Sequence, residues 1–367
     1  MSNSGPIAFF TFLAVSTSLI AVGVASDART TADVVRPPAA AAVAPAASAP
    51  AAAPEPAASA SPSTSGHAGH ADAAGSRAEV DKHDAAMAAR IKEFPAKTKG
   101  LGGQLLKPRV LADGTKEFSL TAALTKWEVE SGKLVDAMTY NGVVPGPTIS
   151  VDVGDKVRVV LTNRMPTSTS IHFHGVRAPN AQDGVPDITQ EPVKPGDTYT
   201  YEFTTTEVGV GMYHSHHDAQ IQVPGGLAGA FLVGDLPLPK GVKVSQEHSM
   251  MLNDSGAIGF SLNGKSFPAT APYSAKKGEW LLFHYLNEGT QIHPMHLHGF
   301  AQLVVAKDGY PVPMPYNADT INVAPGERYS VLVRPDLDGV WAWHCHVLPH
   351  AERADGMFGM VTALVVK

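Results

Sequence analysis

The sequence predicts an all-β protein, two homologous β-sandwich domains preceded by a disordered linker and a short helix, and three observations predict it. The 367 residues are 44% hydrophobic with 34 Gly and 29 Pro, which suits short strands joined by many turns better than helices. Downstream of Gly100, runs such as Thr148-Ile149-Ser150-Val151-Asp152-Val153 and Lys156-Val157-Arg158-Val159-Val160 alternate or are rich in Val, with Gly, Asp or Pro between them. The third observation is an internal repeat. Asn141-Gly142 leads through two predicted strands to His172-Phe173-His174-Gly175, and Asn263-Gly264 leads through similar strands to His296-Leu297-His298-Gly299. Pro195-Gly196-Asp197 precedes His214-Ser215-His216, and Pro325-Gly326-Glu327 precedes His344-Cys345-His346, the offset from Pro to the first His being 19 residues both times. The domains are therefore expected at 100–236 and 237–367.

The elements before Gly100 follow from composition. Ile7 to Ala25 is apolar and Gly23-Val24-Ala25 offers a small-x-small cleavage site, so residues 1–25 read as a signal peptide and the protein as exported: periplasmic, cell-surface or secreted. No Lys or Arg precedes Arg29, and these nineteen residues, interrupted mainly by Thr and Ser, are also long enough for an uncleaved membrane anchor. Residues 26–75 form the linker. Between Arg36 and Gly66 they are almost all Ala, Pro and Ser with one charge, Glu55, and cannot bury enough apolar area to offset their ordering entropy. His67 and His70 in this linker read as incidental. Residues 76–99 carry the helix: Ala, Met and Ile recur at helical spacing from Ser76 to Phe94, and Pro95 stops it. The net charge of −6 gives no reason to expect nucleic acid or an anionic membrane surface as a partner.

Chemistry concentrates in histidine. Of 16, ten fall in four tight groups near the single cysteine, Cys345, or its repeat-related position. A His-x-His on a strand sends both imidazoles to one face, because side chains alternate with period two. Four such pairs supply eight imidazoles, which suit copper and zinc alike. The lone cysteine can form no intrachain disulfide. With His293, His350 and a nearby Met it makes the His2Cys set with a weak axial thioether that defines a blue-copper site. If Cys345 serves one metal while His344 and His346, pointing the other way, serve two others, the backbone is a short covalent link between two metal centres. The remaining histidines His83, His248 and His284 read as surface or core residues, His217 as a neighbour of the cluster, and Trp341 and Trp343 as core.

The segments His172-Phe-His174-Gly, Tyr213-His214-Ser-His216, His293-Pro-Met-His296-Leu-His298-Gly and His344-Cys345-His346 with His350 resemble the copper signatures of multicopper oxidases, specifically the two-domain small laccases, over roughly residues 140–367. The resemblance implies cupredoxin-like Greek-key sandwiches and four coppers per catalytic unit. It implies a type 1 copper on His293, Cys345, His350 and Met357, and a type 2 copper on His172 and His296. One type 3 copper would sit on His174, His214 and His346, the other on His216, His298 and His344. The family's axial residue usually lies five positions after the last histidine, which here is Asp355; Gly356-Met357-Phe358-Gly359 resembles the usual ending displaced by a two-residue insertion, with Met360 a further thioether nearby. Ser215 stands where the repeat would have a cysteine, so the first domain is expected to lack a type 1 copper.

By the same resemblance Asp183 is the carboxylate near the type 2 site, where it would relay protons, since metal charge lowers the pKa of bound water; its bland reading is an Asp-Gly turn. Glu352 is a second candidate relay. The expected activity is one-electron oxidation of a small donor, a phenol or aromatic amine, coupled to four-electron reduction of O2 to water, with electrons entering through the exposed edge of His350 or His293. Alternatives are a cuprous oxidase serving copper tolerance, against which stands the lack of a methionine-rich insertion, a copper nitrite reductase, and a copper carrier. The resemblance also implies a homotrimer with each three-copper cluster between domain one of one subunit and domain two of the next.

Overall fold

A computed structural model of the chain describes residues 76–367. The expected signal or anchor, the linker, and His67 and His70 lie outside the described residues. Helix α1 (Arg77–Glu93) begins in a capping box: the Ser76 hydroxyl accepts from the Glu79 N–H, and the Glu79 carboxylate accepts from the Ser76 N–H at 2.7 Å. Phe94, preceding Pro95, takes the extended conformation that proline imposes on its predecessor, and the helix ends there. The apolar face expected of this helix is not realised. No residue of α1 is buried, and only Met87 and Arg90 are even half-buried. Its Ala residues are too small to cover a core, so the spacing carried little apolar area. Among the described residues no helix is long and apolar enough to cross a membrane.

The rest is strand. The first sandwich contains β1 (Arg109–Val110), β2 (Lys116–Glu130), β3 (Lys133–Tyr140), β4 (Gly146–Val151), β5 (Lys156–Asn163), β6 (His172–His174), β7 (Thr198–Thr204), β8 (Gly209–His214) and β9 (Ala228–Val233). One sheet runs β1-β2-β5-β7, with β3 also on β2, and the facing sheet runs β4-β9-β8-β6. A single helical turn, α2 (Ala219–Gln222), joins β8 to β9. The second sandwich contains β10 (Val244–Ser255), β11 (Gly259–Leu262), β12 (Tyr273–Ala275), β13 (Trp280–Asn287), β14 (His293–Leu297), β15 (Gln302–Lys307), β16 (Tyr310–Ala318), β17 (Thr320–Val323), β18 (Arg328–Val333), β19 (Gly339–Cys345), the hairpin β20 (Glu352–Arg353) and β21 (Gly356–Met357), and β22 (Val361–Val366). Its sheets run β11-β10-β13-β18-β15-β16 and β12-β22-β19-β14-β17.

The duplication read from the sequence is present strand by strand. β2 lies parallel to β5 as β10 lies parallel to β13, and β4 lies parallel to β9 as β12 lies parallel to β22. The histidine strands keep the same register: His172 faces His214 across β6 and β8, and His296 faces His344 across β14 and β19. Asn163 and Asn287 hold equivalent loops, each side-chain amide donating to two carbonyls: Thr167 and Val193 at 2.9 and 2.8 Å, Gln291 and Val323 both at 2.9 Å. Each sandwich has its own core, one around Tyr140, Phe173, Tyr201 and Phe231, the other around Phe283, Tyr285, Trp343 and Leu364. Val210, Met212 and Ala230 meet Met251, Leu286 and Ala306 between the sandwiches, where buried Arg328 donates to the Val210 carbonyl at 2.9 Å. The guanidinium ties one sandwich to the other.

Candidate metal centre

Three residues of the second sandwich converge on a point. The Cys345 sulfur lies 3.7 Å from His293 Nδ1 and 3.6 Å from His350 Nδ1, and all three ligand atoms lie within 4.8 Å of one another in buried surroundings. A trigonal set with metal bonds of about 2.0–2.3 Å spaces its ligand atoms about 3.5–3.9 Å apart, so the donor set fits a metal ion at its centre. β14 delivers His293 at its first residue, β19 delivers Cys345 at its last, and a short 3-10 turn (Leu348–His350) folds His350 back onto them. Burial pushes the Cys345 thiol up to about 11, so a metal must displace its proton to gain the thiolate.

A second layer orients the imidazoles. His293 Nε2 is 3.0 Å from the buried carboxylate of Asp254, which also accepts from the backbone N–H groups of Thr290 and Gln291 at 3.0 and 2.7 Å and from the Thr290 hydroxyl at 2.8 Å. Burial would raise this carboxyl, but His293 and those donors outweigh it and hold Asp254 below the usual carboxylate range. Such a carboxylate–histidine contact fixes ring orientation and tautomer in metal sites. His350 Nε2 faces the Gln291 side-chain oxygen at 3.2 Å, and Phe260 stacks on the ring at 4.3 Å between centroids. The expectation of an exposed imidazole edge is therefore corrected: His293 is 0% and His350 3% exposed, and Asp254 and Gln291 cover their outer nitrogens. Sequence reasoning missed Asp254, for which no local motif exists; it stands on β10, 39 residues before His293, which lies on β14 of the other sheet.

The other eight histidines form two groups of four. In the first sandwich His172 contacts the rings of His174, His214 and His216 at 5.3–5.9 Å between centroids. In the second, His296 contacts His298, His344 and His346 at 4.8–5.8 Å. Among the described residues no ring contact joins the two groups. In each group backbone carbonyls accept from Nδ1–H and leave Nε2 free: His172 to Asp183 at 2.8 Å, His214 to Ser215 at 2.9 Å, His296 to Asp319 at 3.2 Å and His344 to Cys345 at 3.0 Å. His298 and His344 bring their Nε2 atoms to 3.1 Å, a spacing that two ligands of one metal ion would take. Burial, with Arg328 and the neighbouring imidazoles adding to it, pulls His174 down to about 3, which keeps its ring neutral as a metal ligand requires.

Strand alternation sorts these side chains. Along β19 and the residue after it, Cys345 turns into the core while His344 is half-buried and His346 exposed; Ser215 sits between His214 and His216 with the same pattern. The repeat positions of the first sandwich hold a hydrogen-bond network in place of the Cys-His set. Ser215 Oγ donates to the Gln222 side-chain oxygen at 2.7 Å, and Thr169, the counterpart of His293, donates to the same oxygen at 2.8 Å.

Asp183 lies where its carboxylate reaches His172, Oδ1 to Nδ1 3.4 Å, beside the carbonyl contact. A second carboxylate, Asp319, stands beside His296, Oδ2 to Nδ1 3.1 Å; sequence reasoning did not single it out although it lies just ahead of β17. Glu352 is exposed on the β20–β21 hairpin, facing Met357 across it. Met357 is half-buried against Phe267, Ala351 and Val361, whereas Met360 is fully buried in the core that contains Cys345. His83 is exposed, His248 and His217 half-buried, and His284 is a core residue held between Glu247 and Ser330. Trp343 is core, donating to the Tyr285 hydroxyl at 2.7 Å, and Trp341 is half-buried beneath Phe300. Glu288, also not anticipated, is 8% exposed beside the first group of histidines, with one carboxyl oxygen lacking a hydrogen-bond partner; burial lifts its carboxyl to about 8.

Comparison with known proteins agrees with this geometry. Residues 121–237 match one family model described as multicopper oxidase, and residues 239–366 match a second with the same description. A laccase of Botryotinia fuckeliana is 30% identical over 269 residues, 60% of this chain and 45% of that protein. Copper resistance protein A of Escherichia coli is 36% identical over 138 residues, 38% of this chain and 22% of that protein. The chain spans under half the length of the curated relatives it matches. The crystal structure of a blue copper oxidase from Nitrosomonas europaea is similar with a TM-score of 0.64 and 33% identity, over 68% of this chain and 85% of that one. Two consecutive family matches, on two sandwiches that each present a histidine cluster, mean that this chain belongs to the multicopper oxidase family.

Proposed function

We propose that the protein is an exported, laccase-like oxidase that couples one-electron oxidation of a small donor, a phenol or aromatic amine, to four-electron reduction of O2 to water. The observation that carries this reading is the convergence of His293, Cys345 and His350 directly behind a four-histidine face. His293, Cys345, His350 and Met357 would hold a type 1 copper. His172 and His296 would hold the type 2 copper; His174, His214 and His346 one type 3 copper; His216, His298 and His344 the other. Copper bound at these positions would supply the one-electron chemistry.

The chain's own residues make the rest. Asp254 fixes the His293 ring through Nε2, and the buried thiolate position excludes water. Cys345 is bonded through the backbone to His344 and His346, so the entry centre and the oxygen-reducing centre are a few covalent bonds apart. With both imidazoles covered, an outer-sphere donor would dock over Gln291, whose side chain is the exposed cover of His350. Asp183 Oδ1, next to His172, is placed to hold a proton for oxygen reduction. Because each four-histidine face belongs to a different sandwich and no ring contact joins them, we place each complete cluster between two subunits of a homotrimer.

Likeness to copper resistance protein A favours a second reading, oxidation of Cu(I). Comparing kcat/KM for a phenol and for Cu(I) separates the two. The class itself is tested by Cys345→Ser: the copper-loaded protein should be blue, and the variant should lose the colour and the oxidase activity while keeping its β-sheet circular dichroism. A colourless wild type that binds zinc in preference to copper would overturn the proposal.

A further inference from the structure

The two-residue insertion after His350 leaves Met357 on the hairpin β20–β21, which belongs to neither sheet of the sandwich. This hairpin is held from outside by α1. Arg90 Nε donates to the Met357 carbonyl at 2.7 Å, and Nη2 donates to the Phe267 carbonyl at 2.8 Å. The carboxylates of Glu130 and Asp355 flank the same guanidinium at 3.6 and 3.7 Å, and the arginine side chain is only 15% exposed. A planar fork serving two carbonyls and two carboxylates fixes direction as well as distance, which a lysine cannot reproduce.

The surrounding contacts have the same target. Met87, one turn earlier on α1, lies against Gly356, where an added Cβ would stand 3.1 Å from the Met87 Cα. Phe94, just past the helix, stacks on Phe267 at 5.1 Å, and Phe267 shares an apolar cluster with Met357, Ala351 and Val361. Ala351 adjoins His350, and Val361 adjoins Met360, whose carbonyl accepts from the Cys345 N–H at 3.0 Å. A helix with no buried residue adds little to the core, yet its half-buried residues both press on the segment beside the type 1 ligands.

We propose that Arg90 is a positioning residue for the type 1 copper: by clamping the Met357 main chain it sets how closely the Met357 sulfur approaches the metal. The inference rests on the reading of Met357 as the axial ligand. Axial thioether bonds are long and weak, so the protein scaffold and not the bond decides their length, and that length tunes the reduction potential. An arginine outside both sandwiches would thus adjust the driving force of the oxidase.

The test uses the copper-loaded full chain with Met357→Leu, Arg90→Lys, Arg90→Ala and the double variant Met357→Leu/Arg90→Ala. The measured quantities are the thiolate-to-Cu(II) absorption, the copper hyperfine splitting and the reduction potential. Met357→Leu should raise the potential. Each Arg90 variant should move spectrum and potential in the same direction by less, and Arg90→Ala should add no shift in the Met357→Leu background. Arg90→Lys keeps the test alive if Arg90→Ala does not fold. Arg90 variants indistinguishable from wild type, or an Arg90→Ala shift of the same size in both backgrounds, would overturn the clamp. If Met357→Leu itself shifts nothing, the axial assignment and the clamp fall together, while the blue colour, which depends on Cys345, still reports on the oxidase reading.

Discussion

Hydrogen bonds orient the clustered imidazoles one ring at a time. Four of the eight cluster imidazoles donate Nδ1–H to a backbone carbonyl, which selects the tautomer with Nε2 available, and main-chain acceptors make that choice insensitive to the side chain that carries them. Asp183 shows the consequence. Its carbonyl orients His172 at 2.8 Å, and its carboxylate stands 3.4 Å away as a separate group. Asp183→Asn should therefore preserve copper content and anaerobic reduction by the donor, while slowing reoxidation of the reduced protein by O2 roughly tenfold or more, the scale of a lost proton-transfer group. Stopped-flow measurement of both half-reactions checks this; equal slowing of the two would remove the carboxylate from the proton path.

At the level of elements, one supersecondary plan is used twice with different contents. The strand that ends in His214 and the strand that ends in Cys345 occupy equivalent places. In the first sandwich the Thr169-Ser215-Gln222 network satisfies the positions that in the second carry two imidazoles and a thiol. The hairpin β20–β21 has no counterpart in the first sandwich and packs against α1. Gly356 suits that contact, since it adopts φ +104 and an added Cβ would stand 3.1 Å from the Met87 Cα, tighter than an ordinary contact. Gly356→Ala should cost about 1–3 kcal/mol through the strained backbone and loosen the helix. Amide hydrogen exchange should then show lost protection over Arg77–Glu93 with the sandwich strands unchanged. Unaltered protection there would mean that α1 does not lean on this hairpin.

For the whole molecule, the proposed homotrimer pairs the open histidine face of one sandwich with that of a neighbouring subunit. The group around His172 shares its recess with Asn287, Glu288 and Thr290 of the second sandwich of the same chain, not with His296 and its neighbours. A head-to-tail contact between the two kinds of face closes into a ring. Mixing His214→Ala subunits with His344→Ala subunits, each inactive by itself, should restore part of the oxidase activity, because some interfaces in mixed rings unite two intact faces. Refolding the two together and measuring O2 uptake tests this, with mass in solution as the second reading. A fully active monomer would overturn the intersubunit cluster.

The sequence by itself determined the fold class and the duplication, because each rests on local periodicity: His-x-His on a strand shares a face, and repeated turns mark repeated strands. It also placed α1, since helical spacing runs from Ser76 to Phe94 and a proline acts within one turn. Tertiary structure alone decided what covers the candidate ligand residues. Asp254 on β10 meets His293 on β14, a strand of the other sheet, Gln291 closes over His350, Asp319 stands beside His296 as Asp183 does beside His172, and Arg90 reaches Met357 across 267 positions. Such partners are chosen by how strands and helices come together in space, and spacing along the chain carries no record of that. For the same reason the expected open imidazole edge failed: exposure is a property of the packed molecule, and a ligand motif names the atom that meets the metal without naming what lies behind it.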